Sequence, residues 1–194
     1  METVILASGS RYRQRLLQRL QIPFSVLPPD IDESPHPEEP AIALAERLAA
    51  TKAEVIGRDY PGSVVIGSDQ VALLDEALLG KPGTVANAEA QLALCSGRVV
   101  EFFTAVCLYW DGAVQQTSVP YQVEFRALTS AEIARYVELE QPLDCAGSFK
   151  CEGLGSTLFS RLNGEDPTAL EGLPLIALSS MLRHWGVDPL QRQV

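Results

Sequence analysis

The side chains of this sequence best suited to chemistry are two groups of carboxylates, a serine-rich turn and three separated lysines. In Gly67-Ser68-Asp69-Gln70, Asp69 follows the apolar run Val64-Val65-Ile66, which predicts a carboxylate at the end of a buried strand. Burying it is costly unless it has a partner or a task, and strand ends often carry metal ligands and bases. The alternative is a turn-forming Asp bonded to its own backbone. Asp30-Ile31-Asp32-Glu33 lies in a proline-rich stretch and offers oxygen donors to a hard cation, unless its members are simply solvated. In Ala7-Ser8-Gly9-Ser10-Arg11-Tyr12-Arg13, an apolar run ends in small residues before a helical pattern. Such a turn aims free N–H groups and the positive end of a helix dipole at one point. Ser8 and Ser10 add hydroxyls, and Arg13 a guanidinium fork that matches a phosphate. An N-capped helix with solvated arginines is the plainer reading. Lys52, Lys81 in Gly80-Lys81-Pro82, and Lys150 in Ser148-Phe149-Lys150-Cys151-Glu152-Gly153 are further candidates for phosphate contact. Each could equally be a surface lysine; Lys52 fits that description least, because its neighbours are apolar.

Positioning these groups requires a mixed α/β fold. Strands are predicted over Thr3 to Ala7, Phe24 to Leu27 and Ser63 to Val71, with a hairpin around Asp75-Glu76. Two long β-type runs, Arg98 to Trp110 and Ala113 to Leu128, flank Asp111-Gly112, a two-residue hairpin signal. Helices are predicted over Arg11 to Leu20, Ala41 to Ile56, Thr84 to Leu94, Thr129 to Leu139 and Leu173 to Trp185. Thr84 is an expected N-cap, and Thr129 with Glu132 an expected capping box. The stretch from Pro28 to Pro40 reads as a loop.

The 194 residues, 46% hydrophobic and 21% charged, suffice for one generous domain or two tightly joined lobes. With 15 Lys+Arg against 25 Asp+Glu, the net charge is -10. That balance disfavours a nucleic-acid polymer or an anionic membrane as partner, while a small phosphorylated ligand needs only a local basic pocket. The four cysteines have no C-x-x-C spacing and there are two histidines, so neither a structural zinc site nor a Ser-His-Asp arrangement is expected. There is no Walker loop and no G-x-G-x-x-G. Without a signal-peptide pattern or a spanning apolar run, the expected location is the cytoplasm.

In this order, the pieces resemble the Maf family of nucleotide pyrophosphatases. The resemblance runs through Leu6-Ala7-Ser8-Gly9-Ser10, Arg13, Asp32-Glu33, Lys52-Ala53, Gly67-Ser68-Asp69, Gly80-Lys81-Pro82, Ser96-Gly97, Ala146-Gly147 and Gly172-Leu173-Pro174-Leu175. Each motif is weak alone; their joint order over essentially the whole chain is specific. It implies a single Maf/Ham1-like α/β domain over residues 1–194, a twisted mixed β-sheet flanked by helices, with two lobes around a cleft. It implies a divalent cation, Mg²⁺ or Mn²⁺, a small-molecule nucleoside triphosphate as substrate, and often a homodimer. A mechanism that fits these residues makes Asp69 the general base and a metal ligand, has Glu33 bind the metal or orient the attacking water, and has Ser8, Arg13, Lys52 and Lys81 hold phosphate oxygens. Gln70 and the Ser148–Gly153 stretch are similar to the YceF-like subgroup, which acts on 7-methyl-GTP. Positions linked there to substrate choice fall on Tyr12, Gln70 and Glu152, Tyr12 standing where that subgroup carries Trp. Hydrolysis of dTTP or UTP, and nucleotide-dependent regulation of cell division, are the alternative readings.

Overall fold

The computed structural model describes residues 3–191. Strand β1 (Thr3–Leu6) has a parallel neighbour on each side: Leu6 pairs with Val26 of β2 (Phe24–Val26) and with Ile66 of β3 (Ser63–Leu74). A parallel strand of this kind is covered on both faces, which is why Val4, Ile5 and Leu6 are apolar without alternation and all buried. Seven strands form one mixed sheet, ordered β2-β1-β3-β5-β6-β7, with β4 (Ala77–Leu79) pairing β3. The remaining strands are β5 (Val99–Trp110), β6 (Ala113–Phe125) and β7 (Phe159–Gly164). The flanking helices are α1 (Arg11–Gln18), α2 (Ala41–Asp59), α3 (Val85–Cys95), α4 (Ser130–Glu140), the single turn α5 (Pro167–Leu170) and α6 (Leu175–His184).

The chain divides into two compact units. The first gathers the chain up to Asp69, Thr104–Val119 and the chain from Asp166; the second is Gln70–Phe103 with Pro120–Glu165. In the first, Val4, Leu6, Val64 and Ile66 of the strands pack with Leu16 and Leu17 of α1 and with Leu178 and Leu182 of α6. The second is centred on four phenylalanines. Phe149 meets Phe102, Phe125 and Phe159 edge to face, with ring centroids 5.4, 5.7 and 4.9 Å away, the arrangement that ring quadrupoles favour.

Most predicted elements form where turn chemistry and periodicity put them. The Thr129–Glu132 capping box is present, and Thr84 caps α3. Asp75, Asp111 and Gly112 all adopt positive φ in their hairpin turns. Two differences stand out. Strand β7 carries little sequence signal, because Ser160, Arg161 and Asn163 leave it largely exposed; its pairing with β6 holds it, across an irregularity at Glu124/Phe125. The second concerns Asp69. It does not end its strand: β3 continues to Leu74, because Val71, Ala72 and Leu74 resume the buried pattern and Ala72 pairs with Leu79. Among the described residues no helix is long and apolar enough to cross a membrane.

Candidate active site

Helix α2 supplies the site's buried cation. Its buried positions are Ala41, Leu44, Ala45, Leu48, Ala49, Lys52, Ala53 and Gly57, an i, i+3, i+4 stripe in which Lys52 occupies a core position. Beside it runs β3, and Gly67 makes that approach possible. A Cβ at Gly67 would lie 2.1 Å from the Ala49 carbonyl oxygen and 2.7 Å from the Ala53 nitrogen. The close contact sets Asp69 against Lys52. The ammonium of Lys52 donates to Asp69 Oδ1 at 2.6 Å and stands 2.6 Å from Glu33 Oε1. Side-chain exposure is 7% for Lys52, 12% for Asp69 and 52% for Glu33. A buried ammonium is tolerable only when paired; here it has two carboxylates, one buried and one open to solvent.

The loop that delivers Glu33 is tied down on both sides. The Asp32 carboxylate accepts from the Ser34 amide at 2.9 Å, closing a turn around Glu33. Arg47 of α2 donates to the Ser34 carbonyl at 3.0 Å and forks onto Glu39 at 2.6 and 2.8 Å. The Arg47 guanidinium, helped by the His36 amide, depresses the Glu39 carboxyl from 4.5 to about 2. A depressed carboxylate pKa stabilises the fold above the unfolded value and loses that effect as pH falls. The tether is therefore intact throughout the neutral range and weakens only between pH 4.5 and about 2.

The amino-terminal turn is built as its residue types suggest. Ser8 Oγ accepts from the Ser10 amide at 3.1 Å, and Ser10 caps α1 by accepting from the Arg13 amide at 3.4 Å. Ser8 is 4% exposed. Arg13 Nε donates to the Gly172 carbonyl at 2.8 Å. Burial lowers the pKa of Arg13, while Asp69 and Glu33, both within electrostatic reach, raise it. Gly172, at φ 107°, lies in a region that favours glycine. Its carbonyl also receives Ser68 Oγ at 3.1 Å, and that hydroxyl lies 2.8 Å from the Ala105 carbonyl. One backbone oxygen thus joins the arginine of α1 to the strand that carries Asp69. Removing the fully buried Ser68 hydroxyl takes a donor from the Ala105 carbonyl, while the Gly172 carbonyl keeps Arg13, a loss of about 1–3 kcal/mol. Ser68→Ala is expected to lower the unfolding free energy by that amount and to reduce kcat/KM; unchanged stability would mean that the hydroxyl is not needed there.

The model of the family described as Maf-like protein matches residues 3–185. The chain belongs to the Maf family. A Chromohalobacter salexigens protein named 7-methyl-GTP pyrophosphatase is 52% identical over 193 residues, covering 98% of this chain and 100% of its own. Proteins of the same name are 54% identical in Xanthomonas oryzae pv. oryzae, over 96% and 98% of the two chains, and 50% identical in Bordetella avium, over 97% and 95%. Among solved structures, Ham1 proteins of Coxiella burnetii and Staphylococcus aureus superpose with TM-scores of 0.53 and 0.54 at 18% and 13% identity. Each covers 95% of this chain and 100% of its own, and at such identity the likeness is one of fold.

Within this Maf chain, Ser8, Tyr12, Arg13, Glu33, Lys52 and Asp69 all belong to the first unit. Lys52, expected on phosphate, pairs here with the two carboxylates. Tyr12 accepts a hydrogen bond from Arg11 at 3.1 Å, and that guanidinium carbon sits 5.1 Å from the Tyr12 ring centroid. Gln70, Lys81 and Glu152 belong to the second unit. Gln70 is the next residue of β3, half-buried, while Lys81 and Glu152 are exposed. Gln91 of α3 donates to the Gly80 carbonyl at 3.1 Å, beside Lys81, and accepts from Ser148 Oγ at 2.6 Å. Gly67, Ser68 and Gly172 stood in the motifs without a role. Small and uncharged, they have no chemistry to advertise, and only the packing shows what they do.

Proposed function

We propose that this protein hydrolyses the α–β phosphoanhydride of 7-methyl-GTP, releasing 7-methyl-GMP and diphosphate. The relatives named for that activity support the substrate, and the observation that carries the chemistry is the convergence of Asp69 and Glu33 on one buried ammonium. Asp69 accepts a proton from water as the water oxygen bonds to the α-phosphorus, and the bond from phosphorus to the bridging oxygen breaks as diphosphate leaves. Lys52 holds Asp69 in place for that transfer. Arg13, fixed through Nε, presents its remaining nitrogens to phosphate oxygens, and Ser8 and Lys81 add donors for charge on the leaving group.

Charge balance argues for a divalent cation. Arg13 and Lys52 are offset by Asp69 and Glu33, so the cluster has no surplus positive charge to meet a triphosphate. Two carboxylates reaching the same point fit Mg²⁺ or Mn²⁺, which take one or two carboxylates and complete their shell with water and phosphate oxygens. Bound by Glu33 and Asp69, the cation would neutralise phosphate charge and polarise the α-phosphoryl group.

N7 methylation makes guanine cationic, and cations favour aromatic faces, which suits Tyr12; a base stacking there shares the ring with Arg11 or displaces it. Gln70 and Glu152 would read the base by hydrogen bonds, a carboxylate accepting from guanine's N–H donors. A panel of 7-methyl-GTP, GTP, dTTP and UTP with Mg²⁺ and with Mn²⁺, read as diphosphate release, tests the assignment; absence of 7-methyl-GTP turnover, or a clear preference for dTTP or UTP, would refute it. For Glu152→Gln, the ratio of kcat/KM for 7-methyl-GTP to that for UTP is expected to fall by about tenfold or more. An unchanged ratio would remove Glu152 from base reading.

A further inference from the structure

Glu152 is exposed and its side chain lies outside any helix or strand, so its position depends on what anchors the chain around it. That anchoring comes from the end of α4. The Lys150 ammonium donates to the Glu140 carbonyl, a terminal helix oxygen that has no intrahelical partner and sits at the negative end of the helix dipole. The Glu140 carboxylate turns the other way and accepts from the Leu154 amide at 2.9 Å. Tyr136, one turn earlier on the same helix, accepts from the Lys150 amide at 3.0 Å. Between these ties the chain closes on itself, with the Gly153 and Gly155 amides donating to the Lys150 carbonyl at 3.2 and 3.1 Å.

The packing is close at both glycines, against a side-chain end at Gly153 and against backbone at Gly155. A Cβ at Gly153 would lie 2.7 Å from Glu140 Oε1, and one at Gly155 would lie 2.2 Å from the Lys150 carbonyl oxygen. Phe149, just before this turn, is buried in the aromatic cluster. Burial pushes the Tyr136 hydroxyl above its ordinary pKa, and Glu140 and Glu152 both lie close enough to add to that rise. Glu152 is thus held on a closed turn whose two ends are both fastened to residue 140.

We propose that Glu140 is a specificity-positioning residue: its carbonyl and carboxylate clamp the 150–155 turn and so fix where Glu152 meets the nucleotide base. This rests on the reading of Glu152 as a base contact. Glu140 touches no substrate; without its side chain the Leu154 amide loses its acceptor, the turn loosens, and Glu152 no longer accepts in one place. A base-specific contact suffers from such loosening, whereas the chemistry at Asp69, Glu33 and Arg13, all in the first unit, does not depend on it.

The test is the ratio of kcat/KM for 7-methyl-GTP to that for UTP, in the full-length protein with Mg²⁺. Glu140→Ala is expected to lower the ratio by about tenfold, with UTP turnover falling far less than that of 7-methyl-GTP. Glu140→Gln, which keeps an acceptor for Leu154, should retain most of the ratio. In a Glu152→Gln background, Glu140→Ala should lower it no further, because a clamp without its cargo has nothing to position. Gly153→Ala, which drives a methyl group into the Glu140 carboxylate, should reproduce the shift and provides a second variant if Glu140→Ala folds poorly. A normal ratio in both Glu140→Ala and Gly153→Ala, beside a shifted one in Glu152→Gln, would overturn the clamp and leave the base reading intact. A further drop in the double variant would overturn it as well. An unchanged ratio in Glu152→Gln itself would defeat both readings.

Discussion

Asp69→Asn is expected to reduce kcat by 10²–10⁴-fold, roughly the contribution of a positioned general base, while leaving a folded protein. The substitution is isosteric, and an amide oxygen can still accept from Lys52 where Oδ1 does now at 2.6 Å. Glu33 remains as a charged partner for the ammonium at 2.6 Å, so the buried cation is not stranded. Electrostatics predicts the effect on binding. Replacing one of two carboxylates gives the cluster of Arg13, Lys52, Asp69 and Glu33 a net positive charge, which favours an anionic triphosphate. Loss of activity should therefore appear in kcat, with KM unchanged or lower, provided that the cation is saturating. Single-substrate kinetics over a Mg²⁺ series, with circular dichroism to establish folding, would measure this. Full turnover by a folded Asp69→Asn protein would exclude Asp69 as the base.

Gly67→Val is expected to have the largest effect on stability. Even a methyl group there would stand 2.1 Å from a backbone carbonyl oxygen and 2.7 Å from a backbone nitrogen of α2, and neither can swing aside like the end of a flexible side chain. Relief requires α2 to move off β3. Overpacking a core ordinarily costs about 1–3 kcal/mol; a backbone-to-backbone clash should reach or exceed the top of that range, a large part of a domain's margin of about 5–15 kcal/mol. Moving α2 also draws Lys52 away from Asp69, and a buried charge left without its partner adds a penalty of similar size. Gly67→Ala should show the same loss in milder form, read as a lower denaturation midpoint together with lower kcat. A Gly67→Val protein as stable as the parent would mean that helix and strand are not held as closely as described.

These two residues show the two ways in which the sequence speaks. Asp69 announces itself, because a carboxylate after Val64-Val65-Ile66 is costly and so conspicuous. Gly67 is silent until a helix is seen lying against it. Lys52 falls between: its place on the apolar stripe of α2 is plain from periodicity, but its partners are not, since Glu33 and Asp69 lie 19 residues before and 17 after it in sequence. Pairing across such distances is a property of the packed chain. The same holds for Arg13 and Ser68, which meet at the carbonyl of Gly172, and for Glu140, whose ties to Lys150 and Leu154 no local pattern foretells.

What the sequence determined by itself is local or compositional. It settled the apolar core strands, the amphipathic helices, the capped starts of α3 and α4, the hairpins at Asp75-Glu76 and Asp111-Gly112, and the chemical types gathered in the motifs. Each follows from periodicity, turn preference or the cost of burying charge, which act over a few residues. The tertiary structure decided that β7 forms at all and that Lys52 bridges the Glu33 and Asp69 carboxylates. Those outcomes depend on which distant segments meet, and a pairing or a close approach is stable only once both partners are in place.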